Sequence, residues 1–177
     1  VNVSWVFLAN IHPVLQMNVL EQCSKNPFII ADTMNLWINT TPNELRSLIN
    51  KTNILLINES EIIELTQSND LKKAAHMVMS MGPEKIIIKQ GSKGARCFSK
   101  DDELSVGVYP VSKVVDPTGA GDVFGGGFVS GLAEGLSLYD SMRRGTALAS
   151  FCIEDFGVTR LLGISRDELD QRINFIQ

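Results

Sequence analysis

The 177 residues carry 16 lysines and arginines against 20 aspartates and glutamates, a net charge of −4, with 44% hydrophobic residues and 6 prolines. A chain of that size and composition can bury the core of one ordinary domain without staples, which excludes disorder, collagen and disulfide scaffolds. The acidic balance, with no basic run interleaved with aromatics, argues against a nucleic-acid partner; Cys23, Cys97 and Cys152 are odd in number and lack CxxC spacing, which fits buried thiols of a reducing cytoplasm and argues against structural zinc.

The opening stretch contains Asn2, Asn10, His12, Pro13, Gln16 and Asn18, too polar for a membrane span, and it lacks the basic start of a signal peptide. No membrane partner is expected. Residues near Trp5 to Ala9 read as a buried strand. Pro13 then opens a helix whose apolar residues are Val14, Leu15, Val19 and Leu20, running towards Lys25. A second strand, Phe28 to Ala31, ends at Asp32. Thr41-Pro42-Asn43-Glu44 supplies an N-cap, a proline at N1 and an acid in the first turn before Leu45, Leu48 and Ile49. Ile54 to Ile57 is a third strand, Glu59 to Leu65 a short helix, and Asp70 caps a helix through Ala74, Ala75, Val78 and Met79 to Met81-Gly82-Pro83. Met77, Met79 and Met81 are read as core filler, and His12 and His76 as packing or surface residues.

Ile86 to Ile88 is the fourth strand. Two short strands, Ala95 to Ser99 and Ser105 to Tyr109, flank the charged turn from Lys100 to Glu103 and break the alternation of strand and helix. From Ala120 the pattern is helical: a glycine-rich helix to about Glu134, another from Ser137 to about Glu154, and a last one opened by the capping box Ser165-Arg166-Asp167-Glu168. The alternation predicts an α/β fold on a mostly parallel sheet, in one domain over 1–177.

Seven of the 14 glycines lie between Gly119 and Gly135. Glycine is poor helix material, so this density points to a turn with exposed amides and a helix packed closely on something. Bare amides at a helix N-terminus form an anion site. Three readings compete. Gly119, Gly121 and Gly125 match a dinucleotide-type GxGxxxG, although Asp122 in the first turn would repel a pyrophosphate and the motif comes late in the chain. The segment is alternatively a tightly packed core helix, with Asp122 only complementing the helix dipole. In the third reading the Gly119–Gly121 amides stabilise charge on a moving phosphoryl group and Asp122 accepts the proton of an attacking alcohol.

The run Asp116-Pro117-Thr118-Gly119-Ala120-Gly121-Asp122, followed by Gly125-Gly126-Gly127-Phe128-Val129, resembles the second signature of the PfkB carbohydrate kinase family, the ribokinase-like kinases. Upstream, Asn58-Glu59-Ser60-Glu61 resembles the family's N-x-x-E motif, and Ile86 to Ala95, with Lys89, Gly91, Lys93 and Gly94, resembles its strand and G-x-x-G loop. The resemblance implies a ribokinase-like fold, a central sheet with helices on both faces and an ATP site at the carboxyl ends of the strands. It implies Asp122 as general base, Gly119, Ala120 and Gly121 as anion hole, Lys89, Gly91, Gly94, Thr118 and Gly157 as nucleotide contacts, and Asn58 and Glu61 as residues that place magnesium, largely through water. The stretch Ala147 to Cys152 and on to Phe156-Gly157 falls where the family builds its adenine pocket. Asp32-Thr33-Met34-Asn35 departs from the family's D-x-N by one place, so substrate contact by Asp32 or Asn35 is not expected.

The implied activity is phosphotransfer from Mg-ATP to a hydroxyl of a sugar or nucleoside, in the cytoplasm, with a monovalent-cation site left open. The alternative is a truncated or non-catalytic nucleotide-binding protein of the same fold. Family members run to roughly 300 residues, and the chain opens abruptly on Val1, so the expectation is a C-terminal, ATP-binding portion without the lid and most acceptor contacts. An uncovered sheet edge and apolar face would then favour self-association, for instance as a homodimer.

Overall fold

A computed structural model describes residues 2–177; Val1 lies outside the described residues. The chain forms two compact units, Val1–Lys89 with Arg96–Glu103, and Gln90–Ala95 with Leu104–Gln177. The strands are β1 (Trp5–Leu8), β2 (Phe28–Asp32), β3 (Ile54–Asn58), β4 (Lys85–Lys89), β5 (Ala95–Phe98) and β6 (Glu103–Val106), and the sheet follows chain order from β1 to β6. β1 to β4 pair in parallel, with Val6 opposite Ile29, Ala31 opposite Leu55 and Ile57 opposite Ile88.

In the first unit the helices are α1 (Pro13–Glu21), α2 (Asn35–Thr40), α3 (Pro42–Lys51), α4 (Glu59–Thr66) and α5 (Leu71–Met79). The central strands are apolar on both faces because both faces are covered: Leu55 and Ile57 on one side, Leu56 on the other, are fully buried, as are Ile86 to Ile88. Each such side chain contributes about 1.5–3 kcal/mol of burial. Leu45, Leu48 and Ile49 of α3, Ile62 of α4, and Ala74, Ala75 and Val78 of α5 complete that core. The small alanines let α5 lie close on the sheet, and Asp70 caps it by accepting from the Lys73 amide.

Several expectations are corrected here. β1 is an edge strand, not a buried one: Trp5 is 43% exposed and only Leu8 is buried. α1 turns its apolar residues outward, with Val14, Leu15 and Val19 exposed, and buries Pro13 and Gln16. The reason is polar: the Gln16 side-chain Nε2 donates to the carbonyls of Leu8, Ala9 and Asp32 at the ends of β1 and β2, which fixes the helix rotation. His12 is the N-cap of α1, its Nδ1 accepting from the Val14 amide, and its ring meets Trp37 edge-on at 5.0 Å. α2 went unread in the sequence, and because it runs directly into Thr41, that side chain does not cap α3; its hydroxyl bonds back to the Trp37 carbonyl. Met77 is exposed, while Met79 and Met81 pack against the core. Cys97 and Cys152 are buried free thiols, but Cys23 is only half-buried. The second strand of the hairpin starts at Glu103 and ends at Val106, earlier at both ends than the apolar pattern indicated.

The second unit holds α6 (Ala120–Ala133), α7 (Leu138–Cys152) and α8 (Arg166–Phe175). α6 and α7 touch backbone to backbone. A Cβ on Gly145 would lie 2.7 Å from the Phe124 carbonyl oxygen, and one on Gly131 would lie 2.8 Å from Ser141 Oγ. The close packing expected of the glycine-rich helix is this seam. α8 carries the Ser165–Glu168 capping box, and its buried Arg172 donates to Ser150 and Glu154 while lying over the Phe151 ring at 3.5 Å. Among the described residues no helix is long and apolar enough to cross a membrane.

Candidate active site

The first unit brings candidate residues together where β2, β3 and β4 end. Because the strands are parallel and in register, Asn58 lies opposite Lys89, and Asp32 closes the neighbouring strand. Lys89 Nζ donates to both oxygens of Asp32, at 2.7 and 2.9 Å, in a pair whose side chains are 17% and 3% exposed. The Thr33 amide also donates to Asp32 Oδ1. Lys89 is therefore an anchored cation and not a solvated lysine. The pair links residues far apart in sequence, and nothing local in the D-x-N region signalled it.

Asn58 and Glu61 form a reciprocal capping box at the start of α4. Asn58 Oδ1 accepts from the Glu61 amide, and Glu61 Oε2 accepts from the Asn58 amide, both at 2.9 Å. The acidic turn is thus not simply exposed: Glu61 is 6% accessible. Burial pushes its carboxyl pKa up, opposed by the Asn58 amide bond and the nearby Lys89 charge and assisted by Asp32. Among the described residues no group of three or more His, Cys, Asp or Glu side chains is placed to hold a metal. One buried carboxylate with an amide oxygen beside it fits a cation that keeps most of its waters, as magnesium does, and does not make a closed cage.

The second unit supplies a different kind of site. Gly119, at the N-cap of α6, has φ +80°, a left-handed conformation that lets the chain turn sharply into the helix. No side chain caps the helix, and a Cβ at Gly119 would meet nothing within 4 Å. The helix of 14 residues thus begins at an open surface, the Ala120 amide donating to the Pro117 carbonyl at 3.2 Å, with the Gly121 amide and the exposed Asp122 following in that turn. The preceding loop is pinned by Asp116, whose Oδ1 accepts from the Thr118 amide at 2.9 Å; that bond holds its carboxyl below the usual range. Cys152 Sγ reaches the carbonyl oxygens of Thr118, at 3.7 Å, and Gly157, at 3.4 Å, so the end of α7 ties together two candidate nucleotide contacts. Neither the reading of Cys152 as a buried thiol nor its place in the adenine-pocket stretch indicates this tie in the sequence. Gly157 and Phe156 are exposed, Phe156 at 68%.

The G-x-x-G loop forms a single 3-10 turn, Gly91–Lys93, closed by the Gln90 amide donating to the Gly94 carbonyl. Gly91 and Lys93 are exposed, whereas Gly94 is buried, with the Val106 carbonyl oxygen where a Cβ would stand. The geometry therefore assembles two chemistries: a paired, largely buried charge cluster at strand ends, and an open, uncapped helix terminus beside a free carboxylate.

Comparison with known proteins gives this arrangement its relatives. An uncharacterized sugar kinase of Archaeoglobus fulgidus is 39% identical over 125 residues, which is 70% of this chain and 49% of that protein. The structure of Arabidopsis thaliana ribokinase complexed with ribose and ATP superposes with a TM-score of 0.81 at 27% identity, covering 98% of this chain and 56% of that one. The nucleoside kinase of Methanocaldococcus jannaschii, at 24% identity, shares the fold with a TM-score of 0.82 over 99% of this chain and 57% of its own. The chain spans about half the length of the curated relatives it matches. Residues 13–162, most of the chain, match the pfkB family carbohydrate kinase, so the chain belongs to that family.

Proposed function

We propose that this chain binds Mg-ATP and carries the phosphotransfer machinery for a hydroxyl of a sugar or nucleoside. The observation that supports this most is the uncapped N-terminus of α6, with Gly119 in the left-handed region and Asp122 exposed in the first turn. In this reading Asp122 accepts the proton of the acceptor hydroxyl as it attacks, and the amides of Gly119, Ala120 and Gly121 stabilise charge on the transferring group. Gly91, Gly94, Thr118 and Gly157 belong to the nucleotide side, and Lys89, paired with Asp32, acts through its charge and not through a direct phosphate contact. Asn58 and Glu61 would hold magnesium through water, and the bound ion would neutralise phosphate charge. Family kinship and relatives named sugar kinase, ribokinase and nucleoside kinase support the acceptor class. A structure from E. coli in complex with ATP and Mg2+, 25% identical with a TM-score of 0.73, supports the nucleotide and the ion. The family match also displaces the dinucleotide reading.

The test is calorimetric titration with the slowly hydrolysed analogue AMP-PNP plus magnesium, followed by ADP release with a panel of sugars and nucleosides. Single-site binding with acceptor-dependent ADP release is expected, and a folded chain that binds nothing would overturn the reading. Because the chain spans about half the length of its relatives, a second reading is a nucleotide-binding protein without turnover. Binding without ADP release for any acceptor would favour it.

A further inference from the structure

The strand-end cluster of the first unit holds two carboxylates, Asp32 and Glu61, and one ammonium, Lys89, with the amide groups of Asn58 and Thr33 beside them. A lysine at the end of a strand in a polyphosphate site would ordinarily be assigned to phosphate. Here its charge is already taken, since Nζ bonds both Asp32 oxygens and the carboxylate is almost wholly withdrawn from water. Asp32 is itself held in place: the Thr33 amide donates to its side chain, and Gln16 Nε2 donates to its carbonyl from the buried side of α1. A buried pair of this kind is hard to break, because separating it leaves an uncompensated charge.

We propose that Asp32 is a positioning residue that makes nucleotide binding at this face depend on a divalent cation, by holding Lys89 in a bidentate pair and so keeping its ammonium from serving phosphate directly. The inference rests on the reading of the site given above. With the pair intact, the cluster offers a polyphosphate more negative than positive charge, and only an added cation reverses that balance. Neutralising Asp32 frees Lys89 and moves the balance one charge towards the polyphosphate; removing Lys89 moves it one charge the other way.

The experiment compares AMP-PNP affinity with magnesium and with EDTA, by calorimetry, for the unmodified chain, Asp32→Asn and Lys89→Met. The readout is the ratio of metal-free to metal-loaded Kd, which a general loss of folding stability would not shift in opposite directions. One unit charge within several ångströms at a partly wet site is enough to move that ratio by about tenfold. We expect it to fall about tenfold in Asp32→Asn, through tighter metal-free binding, and to rise in Lys89→Met. A folded Asp32→Asn with an unchanged ratio would overturn the proposal, as would a fall in Lys89→Met. Should Asp32→Asn fail to fold, Lys89→Met still exposes the proposal to refutation: an unchanged or lower ratio overturns it. Failure of the unmodified chain, folded, to bind the magnesium complex would instead overturn the underlying reading and this inference with it.

Discussion

The ends of β2 to β4 and the start of α6 solve opposite problems. At the strand ends the prominent polar groups find partners within the protein: Lys89 in Asp32, the Asn58 amide in Glu61, the Glu61 amide in Asn58. At the start of α6 the helix has no side-chain cap and Asp122 stands exposed. The first region satisfies its polar groups from within, and the second leaves a helix terminus without a side-chain cap beside an exposed carboxylate. Residues named together as site candidates are therefore expected to respond very differently to substitution.

The sharpest contrast is between Asp122 and Asp32. Asp122→Asn should lower acceptor-dependent ADP release by about a thousandfold, the range of a lost general base, while its urea midpoint stays that of the unmodified chain. Retained turnover would remove Asp122 from the chemistry. Asp32→Ala should do the reverse in stability, costing about 3 kcal/mol because Lys89 is left half-buried without its partner; a loss below about 1 kcal/mol in urea unfolding would mean that the strand ends are less closed than described. Gly119→Ala has room for its methyl group, so its cost, about 1 kcal/mol, should come only from left-handed strain. It should also weaken AMP-PNP binding, and an unchanged affinity would detach the α6 terminus from the anion. The smallest effect concerns a third charged site. Glu168, which accepts from Ser165 and Arg160, has its pKa lowered to about 2 from 4.5. A depressed acid stabilises the fold above its unfolded pKa and loses that contribution as pH falls through the folded one. Melting temperatures should therefore drop slightly more between pH 4.5 and 2 for the unmodified chain than for Glu168→Gln, and parallel curves would contradict the shift.

The same contrast explains what the sequence disclosed. The buried run from Ile54 to Ile57, the Asp70 cap and the Ser165–Glu168 box follow local rules, in which a residue's role is decided by neighbours three or four positions away. The Asp116 to Val129 segment was legible for a related reason, since its spacing is itself the turn and first helical turn. Long-range polar contacts were not legible. Val14, Leu15 and Val19 look like a core-facing stripe until Gln16 is seen bonding to the ends of two strands. Asp32 finds Lys89 only because the strands align in register, and Cys152 meets Thr118 only once α7 is in place. The Asn58–Glu61 spacing was visible, but whether it served a cap or a metal was not; the structure displays the cap, and the metal remains the proposal.

The glycine seam between α6 and α7 has a consequence for how the second unit opens. With Gly145 against the Phe124 carbonyl and Gly131 against Ser141, the two helices lie so close that the few side chains between them have little room to absorb a displacement. Such helices cannot slide or separate by small steps. Amide protons along the facing stretches of α6 and α7 should accordingly exchange with solvent as one cooperative group, with a shared opening free energy, while the first turn of α6 exchanges ahead of them.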